Sequence, residues 1–507
     1  MSQLDQSLLI LIIVYVLTVI GISLYRTNRA QEMGDHVLAG RRVGAITTGL
    51  SASSSLERGW ALFILPAIAA GFRYLVVGVS IAGILGLWAS WKLIAPRLRR
   101  FTFAAQNSLT LPEFFERRFD DRTGVLRVLA AILTLLFVLF YVSASIMAGA
   151  TIFNIAFGLS TAVGGIITVL VVLAYIFIGG YLVIARTDVL QGLVTLFGVV
   201  ALTVAVFVAT DNPTEGIAAS FNSATDSLSG WTDVLFLVLF LVAFAQGAFG
   251  AQRLLQRFMA AKSESIMNTS RRISTLWIFI IIGFSALLGL LAENAFAQNG
   301  IELQLSTTPS GENSEGGVQF FYWLSELIAS PVLGGLALTA VVATVMSTMD
   351  SQLLIGASVA ASDLPVVRRF AQRKRFEFVL GAFMRVWIGR LMLIVIGLIA
   401  WLIALGQPNA VATFLLYGWL GMGGTFAPVV LLSLYWRRYN FHGAMAALIA
   451  GGLLTLACAV LDVNVFLFGV ATLFVLPVSA LVTLVTKAPS AEVKELFEQS
   501  LVKTETA

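Results

Sequence analysis

"GLSASSSLERGWALF", running from Gly49 to Phe63, lies inside a long apolar stretch. Yet it carries three consecutive serines, Ser53 to Ser55, a glycine on either side of its polar part, and the ionisable neighbours Glu57 and Arg58. How this segment is read depends on what surrounds it. Of 507 residues, 58% are hydrophobic and only 12% are charged, and the mean hydropathy is +0.92; a soluble domain keeps about a quarter of its residues charged. Apolar windows of about 20 residues, each long enough to cross a hydrocarbon core of about 30 Å, recur from residue 7 to residue 486. The chain therefore reads as an all-α polytopic membrane protein, almost wholly embedded in lipid. Its first apolar run follows "MSQLDQ" without a basic leader or a small-residue cleavage site, and is expected to be a first span rather than a cleaved signal. The single cysteine, Cys458, falls within a late span and says nothing about redox compartment.

Apolar windows and their polar breaks predict thirteen spans: 7–26, 43–72, 75–96, 125–157, 161–185, 187–210, 232–257, 272–298, 331–362, 384–406, 410–436, 442–461 and 464–486. Basic residues collect in alternate loops, Arg26 to Arg42, Arg97 to Arg127, Arg253 to Arg272, Arg368 to Arg385, and Arg437 with Arg438. Basic flanks resist translocation, so the N-terminus is expected outside and the tail 487–507 in the cytoplasm. These loops are short and tethered to spans, which argues against a nucleic-acid partner. An odd number of spans with opposite termini permits two five-helix units of opposite topology, 43–210 and 232–436, with 7–26 leading and 442–486 trailing as two helices. In such a design the first helix of each unit is interrupted. Gly49 and Gly59 flank the serines in one, and "FAQGAFGAQ", with Gly247 and Gly250, lies in the other.

An interrupted helix exposes carbonyls at membrane depth, which cost several kcal/mol unless protein or a cation satisfies them. Ser53 to Glu57 could supply such carbonyls. In "ATVMSTMDSQLL", residues 343–354, Ser347 and Thr348 place adjacent hydroxyls near a helix centre, with Asp350 beyond. Hydroxyl and carbonyl oxygens suit a weakly held monovalent cation, although Ser and Thr also serve as hydrogen-bonding glue between membrane helices. Glu57, Arg58, Asp350 and, in "ARTDVLQG", Asp188 are ionisable groups within spans. Such groups cost roughly 2.5–3.5 kcal/mol each and are usually functional; the competing reading is a buried structural ion pair. Neighbours on a regular helix do not face each other, so Glu57 and Arg58 each need a partner elsewhere or a break between them. Two histidines, His36 and His442, and one cysteine make no zinc site. No phosphate-binding glycine loop followed by Lys and Ser or Thr appears, so ATP-driven transport has no visible engine. No nucleophile and base pair suggests an enzyme.

The segments "SASSSLERGW", "WKLIAPRLRRFTFAAQNSLTLPEFFERRF", "ARTDVLQG", "QRLLQRFMAAKS", "VMSTMDSQLL", "GTFAPVVLLSLYW" and "TKAPSAEVKELF" occur in this order. In them the chain resembles the sodium/solute symporter family, bacterial sodium/proline symporters above all, from about residue 5 to residue 500. The resemblance implies a leucine-transporter-type five-plus-five inverted repeat. It implies a sodium site built from carbonyls at Ser54, Glu57 and Thr344 and the hydroxyls of Ser347 and Thr348, with Asp188 on the ion's inward route. It also implies a substrate pocket that includes Tyr141. The pattern departs from that of proline carriers at Leu56, where they place Asp, and at Glu57 and Arg58 beside it. Phe244 and Ala248 stand where a tryptophan and a tyrosine wall the proline pocket, so that side should be wider. Ser55, Arg58, Tyr141, Phe244 and Ala248 are the expected substrate-binding set, Arg58 as a two-pronged carboxylate ligand.

The expected function is sodium-coupled import of a small organic solute by alternating access, in a bacterial-type inner membrane. The solute would be proline, another amino acid or a small carboxylate, with no organic cofactor. Two alternatives stand beside it. One is a proton-coupled carrier using Glu57; the other is a transporter-shaped solute sensor, against which the short tail argues.

Overall fold

The structure, a computed structural model, describes residues 2–25, 33–66, 69, 73–222, 230–300, 315–328, 330–365, 378–407 and 410–502. Their regular elements are helices, and the extended backbone makes one isolated bridge, Val43 to Ala261. In chain order the first helices are α1 (Gln3–Leu24), α2 (Met33–Leu38), α3 (Ala45–Phe63), α4 (Arg73–Leu93), α5 (Ala95–Ala104), α6 (Leu111–Arg118), α7 (Val125–Phe157), α8 (Thr161–Ala209) and α9 (Pro213–Asn222). Next come α10 (Trp231–Gly250), α11 (Gln252–Ala260), α12 (Met267–Gln298), α13 (Glu315–Glu326), α14 (Pro331–Asp363), α15 (Phe378–Gly406) and α16 (Val411–Tyr435). The last are α17 (Phe441–Val460), α18 (Val465–Thr472), α19 (Val475–Val485) and α20 (Ala491–Leu501).

Eleven of the described helices are long and apolar enough to cross a membrane, and Thr161–Phe177 is a shorter apolar helix. The serine-rich α3 is not among the eleven, so eleven spans are supported by length and apolar character, against the thirteen expected. Lipid-facing surfaces are plainly apolar: Leu17, Val208, Val460 and Val485 are exposed. The interior is organised around α14 and α16, whose most apolar stretches are 83% and 89% buried, against 28% for α1. Helix α14 packs on α7, α8, α1, α15 and α3, and α3 packs on α12 and α8.

Three expected boundaries are corrected. Spans 161–185 and 187–210 form a single element whose break lies at Gly180 (φ 59°, ψ −156°), a backbone region open essentially to glycine alone. The polar "ARTD", where one expected span gives way to the next, is helical throughout, with Asp188 buried and paired. Span 464–486 is divided at Leu473 and Phe474. The anticipated break within Ser53 to Glu57 does not occur: α3 runs on to Phe63, and the helix first lapses at Ile64, ahead of Pro66. Serine hydroxyls can hydrogen-bond back to their own helix, and Ser53 Oγ does so, 2.9 Å from the Gly49 carbonyl. Pro66 has no N–H to give the Leu62 carbonyl.

The second interruption is where "FAQGAFGAQ" suggested. Helix α10 ends at Gly250, Ala251 is extended (φ −64°, ψ 100°), and α11 starts at Gln252. Gly247 and Gly250 allow α16 to approach: a Cβ at Gly250 would sit 2.2 Å from the Met422 carbonyl oxygen, and one at Gly247 2.2 Å from the Trp419 ring. Small residues at such crossings are how membrane helices pack closely. The far end of α11 is held by two arginines, Arg41 from the turn before α3 and Arg99 from α5. Arg41 donates to the Met259 carbonyl at 2.8 Å and Arg99 to that of Ala261 at 2.8 Å, cations where the helix dipole favours them. Burial, with Arg99 nearby, pulls Arg41 down to about 9.

Candidate functional site

Where α3 and α14 pack together, two hydroxyls are left over. Ser54 Oγ and Thr348 Oγ1 are buried and have no hydrogen-bond partner among the described residues. Their neighbours are occupied: Ser55 Oγ donates to the Ala52 carbonyl at 3.3 Å, and Thr344 Oγ1 to that of Ala340 at 2.8 Å. Ser347 Oγ reaches the Thr344 carbonyl only at 3.4 Å. A buried hydroxyl without a partner costs about 1–3 kcal/mol, so an orphaned one on each of two packed helices fits a cation supplied from outside the protein. Residue 54 and residue 348 thus face the interior, on elements in contact, as a shared site requires. Glu57 and Arg58 lie on α3, but their side chains are outside the described residues.

Beside these hydroxyls runs a buried polar chain across four helices. Arg257, 1% exposed, bonds Asp188 Oδ2 at 2.8 Å, Ser51 Oγ at 2.9 Å, the Ser51 carbonyl at 3.1 Å and Ser351 Oγ at 2.8 Å. Ser51 Oγ also donates to Asp188 Oδ2 at 2.6 Å. Ser351 Oγ continues to Asp350 Oδ1 at 3.1 Å, and Tyr175 donates its hydroxyl to Asp350 Oδ2 at 2.9 Å. The chain ties α3, both halves of the broken α8, α11 and α14 to one another. Sequence reading singled out Asp188 and Asp350 but placed Arg253 and Arg257 with a basic loop. Both are buried in α11. Their four-residue spacing, which puts them on one helix face, was the available signal.

The expected substrate residues gather at the break in α10 and α11. Tyr141 is buried in α7, and the Arg253 guanidinium lies 4.3 Å from its ring centroid. Phe244 meets Trp60 edge-on at 5.0 Å and lies 5.8 Å from Trp419, whose indole donates to the Phe244 carbonyl at 2.8 Å. Ala248 is buried one turn below, its carbonyl accepting from Ser90 Oγ at 3.0 Å. Tyr141, Phe244 and Ala248 are therefore brought to one region, with Trp60, Trp419 and Arg253 added by the structure. Ser55 is buried on α3.

A bundle of membrane-length helices with interrupted elements, buried hydroxyls without partners among the described residues and a buried ion pair fits an ion-coupled secondary transporter. The chain belongs to the sodium:solute symporter family, whose model matches residues 36–451. It is a multi-pass, sodium-coupled solute symporter and not an enzyme. Among curated relatives it is 31% identical over 485 residues to the high-affinity proline transporter PutP of Bacillus subtilis (strain 168), covering 94% of this chain and 98% of that one. It is also 31% identical over 509 residues to the sodium/proline symporter of Escherichia coli (strain K12), covering 97% and 96%. Among solved structures it is similar to a Na+-coupled sialic acid symporter in a substrate-bound outward-open state, with TM-score 0.75, 18% identity, and 96% and 99% coverage. MhsT in complex with L-phenylalanine gives TM-score 0.52 at 15% identity, covering 87% and 98%. The fold is the leucine-transporter type that the sequence suggested.

Proposed function

We propose that the chain imports a small carboxylate-bearing solute with sodium, L-proline being the first candidate because the curated relatives named above are proline carriers. Sodium would bind between α3 and α14, on the Thr348 and Ser347 hydroxyls and on oxygens of Ser54, Glu57 and Thr344. The solute would bind at the break between α10 and α11, near Tyr141, Phe244, Ala248, Ser55 and Arg58. The single observation that supports this most is the pair of orphaned hydroxyls, Ser54 and Thr348, facing inward from two packed helices. Asp188, held by Arg257, would lie on the ion's way out. Residues 43–210 and 232–436 would be the two inverted units, with 7–26 leading and 442–486 trailing. The N-terminus would lie outside and the tail in the cytoplasm of a bacterium with this protein in its inner membrane.

Sodium moving inward through a potential of 100 mV releases about 2.3 kcal/mol per charge, enough for roughly fifty-fold accumulation before any sodium gradient is counted. Coupling requires reciprocity: if sodium tightens solute binding, the solute tightens sodium binding by the same factor. Uptake into proteoliposomes under an imposed sodium gradient, with L-proline first and other amino acids and small carboxylates as competitors, tests the assignment. Accumulation of proline or a competitor that stops when sodium is replaced by choline is expected. Accumulation driven by a pH gradient in sodium-free medium, or solute binding without accumulation, would overturn it.

A further inference from the structure

Arg253 is the buried cation that the sequence does not set apart. It stands in the first turn of α11, immediately after the extended Ala251, and is 3% exposed. Its guanidinium carbon is 4.3 Å from the Tyr141 ring centroid and 6.0 Å from that of Trp419. One turn further on, on the same helix face, Arg257 faces Asp188 at 2.8 Å. The rings beside Arg253 come from other helices.

Those rings make a wall with a donor in it. Trp419 is fixed by its bond to the Phe244 carbonyl, and Phe244 is edge-on to Trp60. Trp60 is 7% exposed, and its indole Nε1 has no hydrogen-bond partner among the described residues. A guanidinium binds a carboxylate through two parallel hydrogen bonds, and aromatic faces tolerate an apolar body beside it. The start of α11 adds the positive end of its helix dipole at the same point. Moreover, the Arg253 carbonyl accepts from Arg257 Nη1 at 2.7 Å, so a ligand on Arg253 would bear on the same turn that holds the Asp188 network.

We propose that Arg253, rather than Arg58, holds the carboxylate of the transported solute, with the solute's apolar part against Trp60, Phe244 and Trp419. This rests on the reading of the chain as a carboxylate symporter, and deepens it by naming the residue that selects the charge. Substrates are then monocarboxylates with a compact apolar body, and the uncharged amide of each is rejected.

The test compares acids with their amides. Sodium-driven uptake of L-proline, L-alanine, L-lactate and pyruvate is measured in proteoliposomes, each competed by its own amide, for wild type, Arg253→Gln, Arg253→Lys and Arg58→Gln, with rates normalised to reconstituted carrier. Wild type should prefer the acid to the amide. Arg253→Gln should raise KM for the acid about 10- to 150-fold, the worth of a charged hydrogen-bonded contact, and bring the acid-to-amide ratio near one. Arg253→Lys should fall between, and Arg58→Gln should keep the ratio. A merely structural arginine would lower the rate for acid and amide alike and leave their ratio standing. If wild type accumulates one of these acids and Arg253→Gln still prefers acid over amide as wild type does, the assignment of Arg253 is wrong while the symporter reading survives. If wild type accumulates none of the acids under a sodium gradient, the carboxylate reading itself falls and this inference with it.

Discussion

Thr348→Val separates a sodium ligand from a packing group by the sign of its effect. Valine keeps the shape of threonine and exchanges the hydroxyl for a methyl. Thr348 Oγ1 is buried without a partner among the described residues, so in the absence of sodium the wild-type protein bears the desolvation of that hydroxyl, about 1–3 kcal/mol. Removing it should stabilise the sodium-free protein by that amount. At about 2.1 cal/mol/K of unfolding entropy per residue and 507 residues, this corresponds to a rise in Tm of about 1–3 °C. Sodium has the opposite relation to the two proteins. At roughly a hundred times its dissociation constant it should stabilise wild type by about 2.7 kcal/mol, because it binds the folded state alone. For Thr348→Val that gain should vanish. The assay is thermal unfolding of detergent-solubilised protein, with and without sodium at constant ionic strength, choline replacing sodium. The expected result is that the variant melts above wild type without sodium, and that adding sodium raises the Tm of wild type alone. A variant that melts lower than wild type without sodium, and keeps the sodium-dependent rise, would show the hydroxyl to be packing glue and remove Thr348 from the ion site.

Two further outcomes follow from the geometry. Breaking the buried Asp188–Arg257 pair by Asp188→Asn or Arg257→Gln should cost about 3–5 kcal/mol each, since a lone buried charge remains. The double substitution should cost less than the sum, and additive losses in a thermal-unfolding cycle would mean that the pair is not coupled. Gly180→Ala should destabilise the carrier by about 1–3 kcal/mol, because a Cβ is strained at φ 59° and ψ −156°; an unchanged Tm would show that the break in α8 is not fixed at that residue.

Much of this fold is legible because lipid imposes a simple demand. Every backbone group must be satisfied within the chain, so apolar windows predict helices, and 125–157 and 331–362 fall almost where α7 and α14 lie. Two of the misplaced boundaries share one cause. A polar stretch within a span reads as an interruption, whereas here it marks contact with another polar group. Asp188 interrupts no helix, since Arg257 and Ser51 answer it. The serines of α3 interrupt none either, since two of them bond to carbonyls of their own helix. Non-helical backbone comes instead at Gly180 and Ala251, and the regular helix α3 ends ahead of Pro66.

The same argument explains why the site was half visible. Hydroxyls at Ser347 and Thr348 are conspicuous in an apolar helix, and so are Asp188 and Asp350. The arginines of "QRLLQRFMAA" are not, because basic residues at the end of a span are ordinarily membrane-surface anchors. What distinguishes Arg253 and Arg257 is that the chain turns back into the protein before them. The extended Ala251 separates α11 from α10, all of α11 is buried, and Arg41 and Arg99 hold its far end. Arg257 therefore meets Asp188 inside the bundle and Arg253 meets Tyr141. One backbone break thus supplies a charge to the Asp188 network and a charge to the aromatic cluster within a single turn. Under the proposed assignment, a ligand on Arg253 bears on the turn that carries Arg257, because Arg257 Nη1 donates to the Arg253 carbonyl at 2.7 Å; that contact links the aromatic cluster to the Asp188 network.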